Sequence, residues 1–172
     1  MLPASVIQVA TTPRQIDRDA VADILQQHHT AFDRASEPHV VLRASTPWVE
    51  DLGYLNFIGN WHYWAEPPGD HTDWVRAIAP TSAGRLEVWM LNVTPGAQYL
   101  VIIDVSCSDG GDHPAFRIGA SDGAHSLVSA TPPDQQLLVL FEPKQTMSLV
   151  FVEPNDLDSW TFHSAEVFIL FS

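Results

Sequence analysis

The sequence predicts a mainly β protein, an antiparallel β-sandwich with one amphipathic α-helix at its N-terminus. Three observations carry this. From about His39 onward apolar and polar side chains alternate with a period of two. The alternating runs are short and separated by Pro, Gly, Asp and Asn clusters, with no strand–helix–strand alternation. The one stretch with a 3.6-residue period lies before them.

In the N-terminal stretch "TTPRQIDRDAVADILQQHHTAFDRAS", Thr12 suits a helix cap and Pro13 the first helical position. Ile16, Ala20, Val21, Ile24, Leu25, His28 and Phe32 then form one apolar stripe, with Asp17, Asp19, Asp23, Gln26 and Gln27 away from it. Such a helix is marginal alone in water, so it is expected to dock on the rest of the chain. Residues 1–38 therefore read as a helical arm and 39–172 as the sandwich domain.

The expected strands include "HVVLRAS", "YLNFIGNWHYW", "DWVRAIA", "RLEVWMLNV", "AQYLVIIDVSC", "PAFRIG", "HSLVSA", "QQLLVLFE", "TMSLVFVE" and "WTFHSAEVFILF". Side chains on a strand point alternately to its two faces. In "YLVIIDVSC" Tyr99, Val101, Ile103, Val105 and Cys107 form an unbroken apolar face, while Leu100, Ile102, Asp104 and Ser106 turn polar along the other. In "QQLLVLFE" Leu137, Val139 and Phe141 oppose Gln136, Leu138, Leu140 and Glu142. Near the C-terminus the inward set changes phase, from Trp160 and Phe162 to Val167, Ile169 and Phe171, which calls for a bulge near residues 164–166.

The stretch "YLNFIGNWHYWAEPPGDHTDW", residues 54–74, contains three of the six Trp residues. Read as one strand, it sends Leu55, Phe57, Gly59, Trp61 and Tyr63 to the core. Tyr54, Asn56, Ile58, Asn60, His62 and Trp64 go to the other side. Rings mixed with amides and an imidazole make a poor dry interface, because each buried polar group needs a partner. They suit a sugar, whose apolar faces stack on rings while its hydroxyls meet amides and imidazole. Tyr54, Asn60, His62, Trp64 and Trp74 are thus the candidate ligand-binding residues. Burial of that face under the helix, or against another copy, is the alternative.

Thr94 to Phe171 resembles the jelly-roll β-sandwich of galactose-binding-like domains and carbohydrate-binding modules. The matching pieces are "TPGAQYLVIIDVS" and "SWTFHSAEVFIL". The resemblance implies a jelly-roll-type sandwich that meets ligands through loops or a concave face, with Trp, Asn and Arg as contacts. A structural calcium is also common in such domains, and Asp104, Asp109 and Asp112 in "DVSCSDGGDH" are the available cluster, but they lack the spacing of an EF-hand loop and a polar turn is the better reading. No other cofactor is expected. The leading helix departs from a bare binding module.

Catalytic signals are sparse. "GASDG" at 119–123 formally matches a nucleophile elbow at Ser121, with Asp156, Asp158 and His163 following, but the strand-then-helix context of an elbow is missing and a β-turn fits better. His62 and Glu66, four apart on a strand, resemble part of the cupin metal motif; Trp64 stands where its second histidine belongs, and His113 or His125 would have to supply further ligands. The metal candidates are therefore His62, Glu66, Asp109 and Asp112.

The net charge is −13, with a single lysine, Lys144, and scattered arginines, so nucleic acid and anionic membrane are excluded as expected partners. Cys107 is the only cysteine and reads as a buried thiol. The expected function is a non-catalytic binding module for carbohydrate. The alternatives are a protein-interaction domain forming a homo-oligomer or part of a larger assembly, and a cupin-like metalloenzyme. As written the sequence reads as cytoplasmic, with a secreted protein as the alternative if a signal peptide has been removed.

Overall fold

The computed structural model describes residues 5–13, 22–23, 25–26, 37–59, 61–65, 75–79, 84–107, 115–120, 125–129, 134–155 and 160–171. In chain order the strands are β1 (Ser5–Pro13), β2 (Val40–Arg43), β3 (Trp48–Val49), β4 (Gly53–Ile58), β5 (His62–Ala65), β6 (Val75–Ala79) and β7 (Arg85–Leu91). They continue with β8 (Gln98–Cys107), β9 (Ala115–Ala120), β10 (His125–Ser129), β11 (Asp134–Glu142), β12 (Met147–Asn155) and β13 (Trp160–Phe171). A back sheet has the order β1-β11-β8-β13-β6-β5, with β2 also pairing β13, and a front sheet has the order β10-β9-β12-β7-β4-β3. Among the described residues all the strand pairs are antiparallel.

The core lies between the two sheets. The back sheet contributes Tyr99, Val101, Ile103 and Val105 of β8, Leu137, Val139 and Phe141 of β11, and Phe162, Ala165 and Val167 of β13. The front sheet answers with Leu55, Leu86, Val88, Met90, Phe116, Ile118, Val150 and Val152. Burying one such aliphatic or Phe side chain contributes roughly 1.5–3 kcal/mol, which makes this interface the main source of stability. Phe57, Trp61, Phe116, Trp160 and Phe162 close one end of the core in a chain of edge-to-face rings with centroids 5.0–5.8 Å apart.

Several sequence expectations change here. Thr12 and Pro13 do not begin a helix: they end β1, opposite Gln136 and Gln135 of β11. The β-branched run Val6, Ile7, Val9, Thr11 and Thr12 prefers strand, and Pro13 is tolerated at the end of a strand on the sheet edge. Part of the expected arm is thus a strand of the sandwich. Of the expected helix, Ala22, Asp23, Leu25 and Gln26 are described, in helical backbone. Leu25 is 1% exposed and packs with Leu100, Ile102, Leu138, Leu140 and Phe168 on the outer face of the back sheet.

The phase change in β13 is present, as a register shift between Phe162 and Ser164. It turns Ala165 and Val167 inward. Ile169, expected in the core, is 47% exposed, and a second register shift against β8 follows it, between Ile169 and Phe171.

The turn "TPGA" links β7 to β8 as expected. The Ala97 amide donates to Thr94 O at 3.1 Å and Gly96 has φ +86°, the third residue of a type II turn after Pro95. The Tyr99 hydroxyl accepts from the Thr94 amide at 2.9 Å, tying the turn to the core.

Candidate ligand-binding face

The stretch 54–65 is two strands in different sheets. β4 belongs to the front sheet, and β5 pairs β6 at the edge of the back sheet. Gly59 sits at the crossover with φ +106°, a conformation L side chains adopt rarely. Trp61 secures it: its indole Nε1 donates to Ile58 O at 3.0 Å and Arg85 O at 3.2 Å while its ring packs on Phe57 and Trp160. The face expected to run unbroken from Tyr54 to Trp64 therefore divides after Ile58.

Tyr54, Asn56 and Ile58 do point away from the core, as the alternation of β4 requires, with Leu55 buried. Their neighbours come from β7, whose outward residues are Arg85, Glu87, Trp89 and Leu91, and from β12, whose outward residues are Met147, Leu149, Phe151 and Glu153. Register aligns them in rows across the strands. Trp48 of β3 faces Tyr54, which faces Trp89, which faces Leu149; Asn56 faces Glu87, which faces Phe151. Tyr54 and Trp89 are stacked, with centroids 5.6 Å apart and planes 6° from parallel. Trp48, at the open margin, is 63% exposed.

Glu87 organises this face. It is 8% exposed, and its Oε1 accepts from Asn56 Nδ2 at 2.9 Å and from Trp89 Nε1 at 3.1 Å. Its Oε2 accepts from Arg85 Nη2 at 3.0 Å. Arg85 Nη1 donates to Glu153 Oε1 at 3.0 Å, and the guanidinium lies 4.0 Å from the Phe151 ring centroid. One carboxylate thus fixes the tilt of an indole, the flip of an amide and the position of a guanidinium. The result is an outward face of rings and oriented polar groups, in which Leu149 and Phe151 are buried, Tyr54 and Trp89 stack on each other, and Trp48 is the exposed ring.

The outer face of the back sheet differs. Its apolar half is covered around Leu25. Its polar half ties Ser106 Oγ to His163 Nε2 at 2.6 Å and Ser164 Oγ to Asp104 Oδ2 at 3.1 Å, with His163 buried.

Of the residues singled out from sequence, Tyr54 is on the front face. His62 and Trp64 lie on β5 of the other sheet, their side chains outside the described residues. Asn60, Glu66, Trp74, Asp109, Asp112, His113, Ser121, Asp156 and Asp158 also lie outside the described residues. His125 is on β10 and pairs Gly119. Cys107 is a buried thiol whose Sγ lies 3.8 Å from Gln135 Oε1. Trp48, Arg85, Glu87, Trp89 and Phe151 are not among the residues that the sequence singles out. The alternation of "RLEVWML" carries the signal for three of them, but only cross-strand register joins them to Tyr54.

No family model and no curated protein matches the chain. Solved structures do. A family 35 carbohydrate-binding module from Clostridium thermocellum aligns at TM-score 0.50 and 9% identity, over 75% of this chain and 98% of that one. An exo-beta-1,3-galactanase from Phanerochaete chrysosporium, solved with beta-1,3-galactotriose, aligns at TM-score 0.54 and 9% identity, over 80% of this chain. A 4-O-methyl-alpha-glucuronidase with specificity for decorated arabinogalactans aligns at TM-score 0.52 and 11% identity, over 81% of this chain. The chain shares their β-sandwich fold. It spans 19% of the glucuronidase and 32% of the galactanase. The expected resemblance to carbohydrate-binding modules thus holds at the level of fold.

Proposed function

We propose that this chain is a non-catalytic carbohydrate-binding module of jelly-roll type, with its ligand face on the outer side of the front sheet. The carrying observation is the row Trp48, Tyr54 and Trp89, flanked by Asn56 and held in place by Glu87. Trp48, 63% exposed, offers a ring face to the apolar side of a sugar beside the stacked Tyr54–Trp89 pair, and Asn56, whose amide is turned with Nδ2 toward Glu87, keeps its carbonyl oxygen for a hydroxyl donor. The fold shared with a carbohydrate-binding module supports the reading. A helix between β1 and β2, seated through Leu25, belongs to the same proposal: it covers the back sheet and leaves the front sheet as the working face.

Affinity electrophoresis through gels containing soluble polysaccharides tests this. Retardation by at least one polymer, lost in Trp89→Ala and Tyr54→Ala, is expected. Retardation unchanged in both variants would move the site elsewhere.

A second reading rests on Trp48, Ile58 and Met147, apolar side chains exposed on this same face: the face meets another copy of the chain. Sedimentation showing a monomer at all concentrations removes it; a dimer dissociated by Trp48→Ala favours it.

A further inference from the structure

We infer that the front face selects an uncharged, extended glycan chain and discriminates against chains bearing carboxylates. This rests on the carbohydrate-binding reading and narrows its ligand class.

The first observation is the fate of the charges beside the aromatic row. Arg85 is the cation nearest Trp89 in the register of β7, two residues beyond Glu87 on the same face. A guanidinium beside stacked rings is the group that would recognise a uronate, through paired N–H donors. Here the guanidinium is already balanced by two carboxylates, Nη2 donating to Glu87 and Nη1 to Glu153, its Nε is buried, and the group lies over Phe151. Arg117 on β9 stands opposite Glu153, two strands from Trp89. Among the described residues, an incoming carboxylate therefore meets the half-exposed Glu153 and a cation already paired with two carboxylates, on a chain of net charge −13. Neutral hydroxyls meet no such repulsion.

The second observation is shape. Trp48, Tyr54 and Trp89 come from three adjacent strands, so the row runs across the sheet for roughly 10 Å at about 4.8 Å per strand. Exposed Trp48 lies at its outer margin. A row of rings set at right angles to the strands matches several consecutive sugar units of one chain better than a single terminal sugar.

The test is isothermal titration of the whole chain with matched ligands: arabinoxylan free of uronate, mixed-linkage β-glucan and β-1,3-galactan as neutral polymers, and polygalacturonate and alginate as polyuronates. The oligosaccharides of each bound polymer are titrated from one to six units. At least one neutral polymer is expected to bind, with hexasaccharide at least tenfold tighter than monosaccharide, and the polyuronates are expected not to bind at 150 mM salt. Glu153→Gln removes the more exposed clamp on Arg85 and leaves Glu87 in place. It is expected to raise polyuronate affinity about threefold at low salt, an effect abolished by added salt. Polyuronate binding equal to or tighter than neutral binding in the wild-type chain overturns this inference while leaving the glycan-binding face intact. Equal affinity for mono- and hexasaccharide overturns its extended-chain part. Absence of binding to every polymer removes the glycan reading and this inference with it.

Discussion

Replacing Glu87 by glutamine isolates the group on which the front face is built. In the wild-type chain its carboxylate accepts from Asn56 Nδ2, Trp89 Nε1 and Arg85 Nη2 at 2.9, 3.1 and 3.0 Å. Glutamine retains an oxygen for Asn56 and Trp89 but sets its NH2 against Arg85 Nη2, so that two donors face each other. A hydrogen bond to a charged group contributes roughly 1.5–3 kcal/mol when buried. The Arg85 side chain is 32% exposed, so solvent screens the pair and about 1–2 kcal/mol is the expected loss. For a chain of this size that corresponds to a fall in Tm of roughly 2–8 °C. Glu87→Ala also strips Asn56 and Trp89 of their acceptor and is expected to cost about 3 kcal/mol or more. Glu153→Gln, where both partners are 32% exposed, is expected to cost less than about 1 kcal/mol. Urea denaturation followed by far-UV circular dichroism reads all three. The order alanine at 87, glutamine at 87, glutamine at 153 is the outcome the geometry requires. A Glu87→Gln midpoint equal to wild type, or Glu153→Gln as costly as either change at 87, would refute the reasoning.

Three further outcomes follow from local geometry. A Cβ at Gly53 would lie 2.5 Å from the Trp89 carbonyl oxygen, backbone that cannot swing aside, so Gly53→Ala should cost about 1–3 kcal/mol in urea melts and weaken glycan binding by disturbing the Tyr54–Trp89 pair next to it. Trp160 is buried and its Nε1 has no acceptor among the described residues. Trp160→Phe removes that unsatisfied donor and should cost under about 1.5 kcal/mol, whereas Trp160→Ala should cost roughly 3–5 kcal/mol; equal melts for the two would contradict this. Gly96→Ala, at φ +86°, should lower stability by about 1–2 kcal/mol in the same melts without altering ligand affinity, since the turn it strains lies at the start of β8 in the back sheet.

How far the sequence reaches is clearest strand by strand. In β8 and β11 alternation alone sorts Tyr99, Val101, Ile103, Val105, Leu137, Val139 and Phe141 into the core, because both strands run straight through the middle of a sheet. The same rhythm misleads between Leu55 and Tyr63. Gly59 and Trp61 keep the period of two while the chain leaves one sheet for the other, and a backbone turn absorbed by one glycine leaves no trace in hydrophobicity. At the N-terminus the Thr-Pro cap signal competed with the strand preference of Val6, Ile7 and Val9, and pairing with β11 decided for strand. In β13 the first bulge is visible as a change of phase; the second, after the exposed Ile169, is not. The candidate face was half legible for a related reason. Tyr54 is polar-side by alternation within its own strand. Its partners Trp48, Trp89 and Glu87 are assigned by register between strands, which one sequence does not encode in any local pattern.

In the proposed complex a sugar chain lies on the row Trp48, Tyr54 and Trp89. The indole N–H resonances test it directly, because each tryptophan reports its own surroundings. Titrating the 15N-labelled chain with a neutral hexasaccharide should shift the Trp48 and Trp89 indole signals together and saturably, while those of Trp61 and Trp160, held in the closed end of the core, stay in place. Saturable binding that leaves Trp48 and Trp89 unmoved would contradict the account.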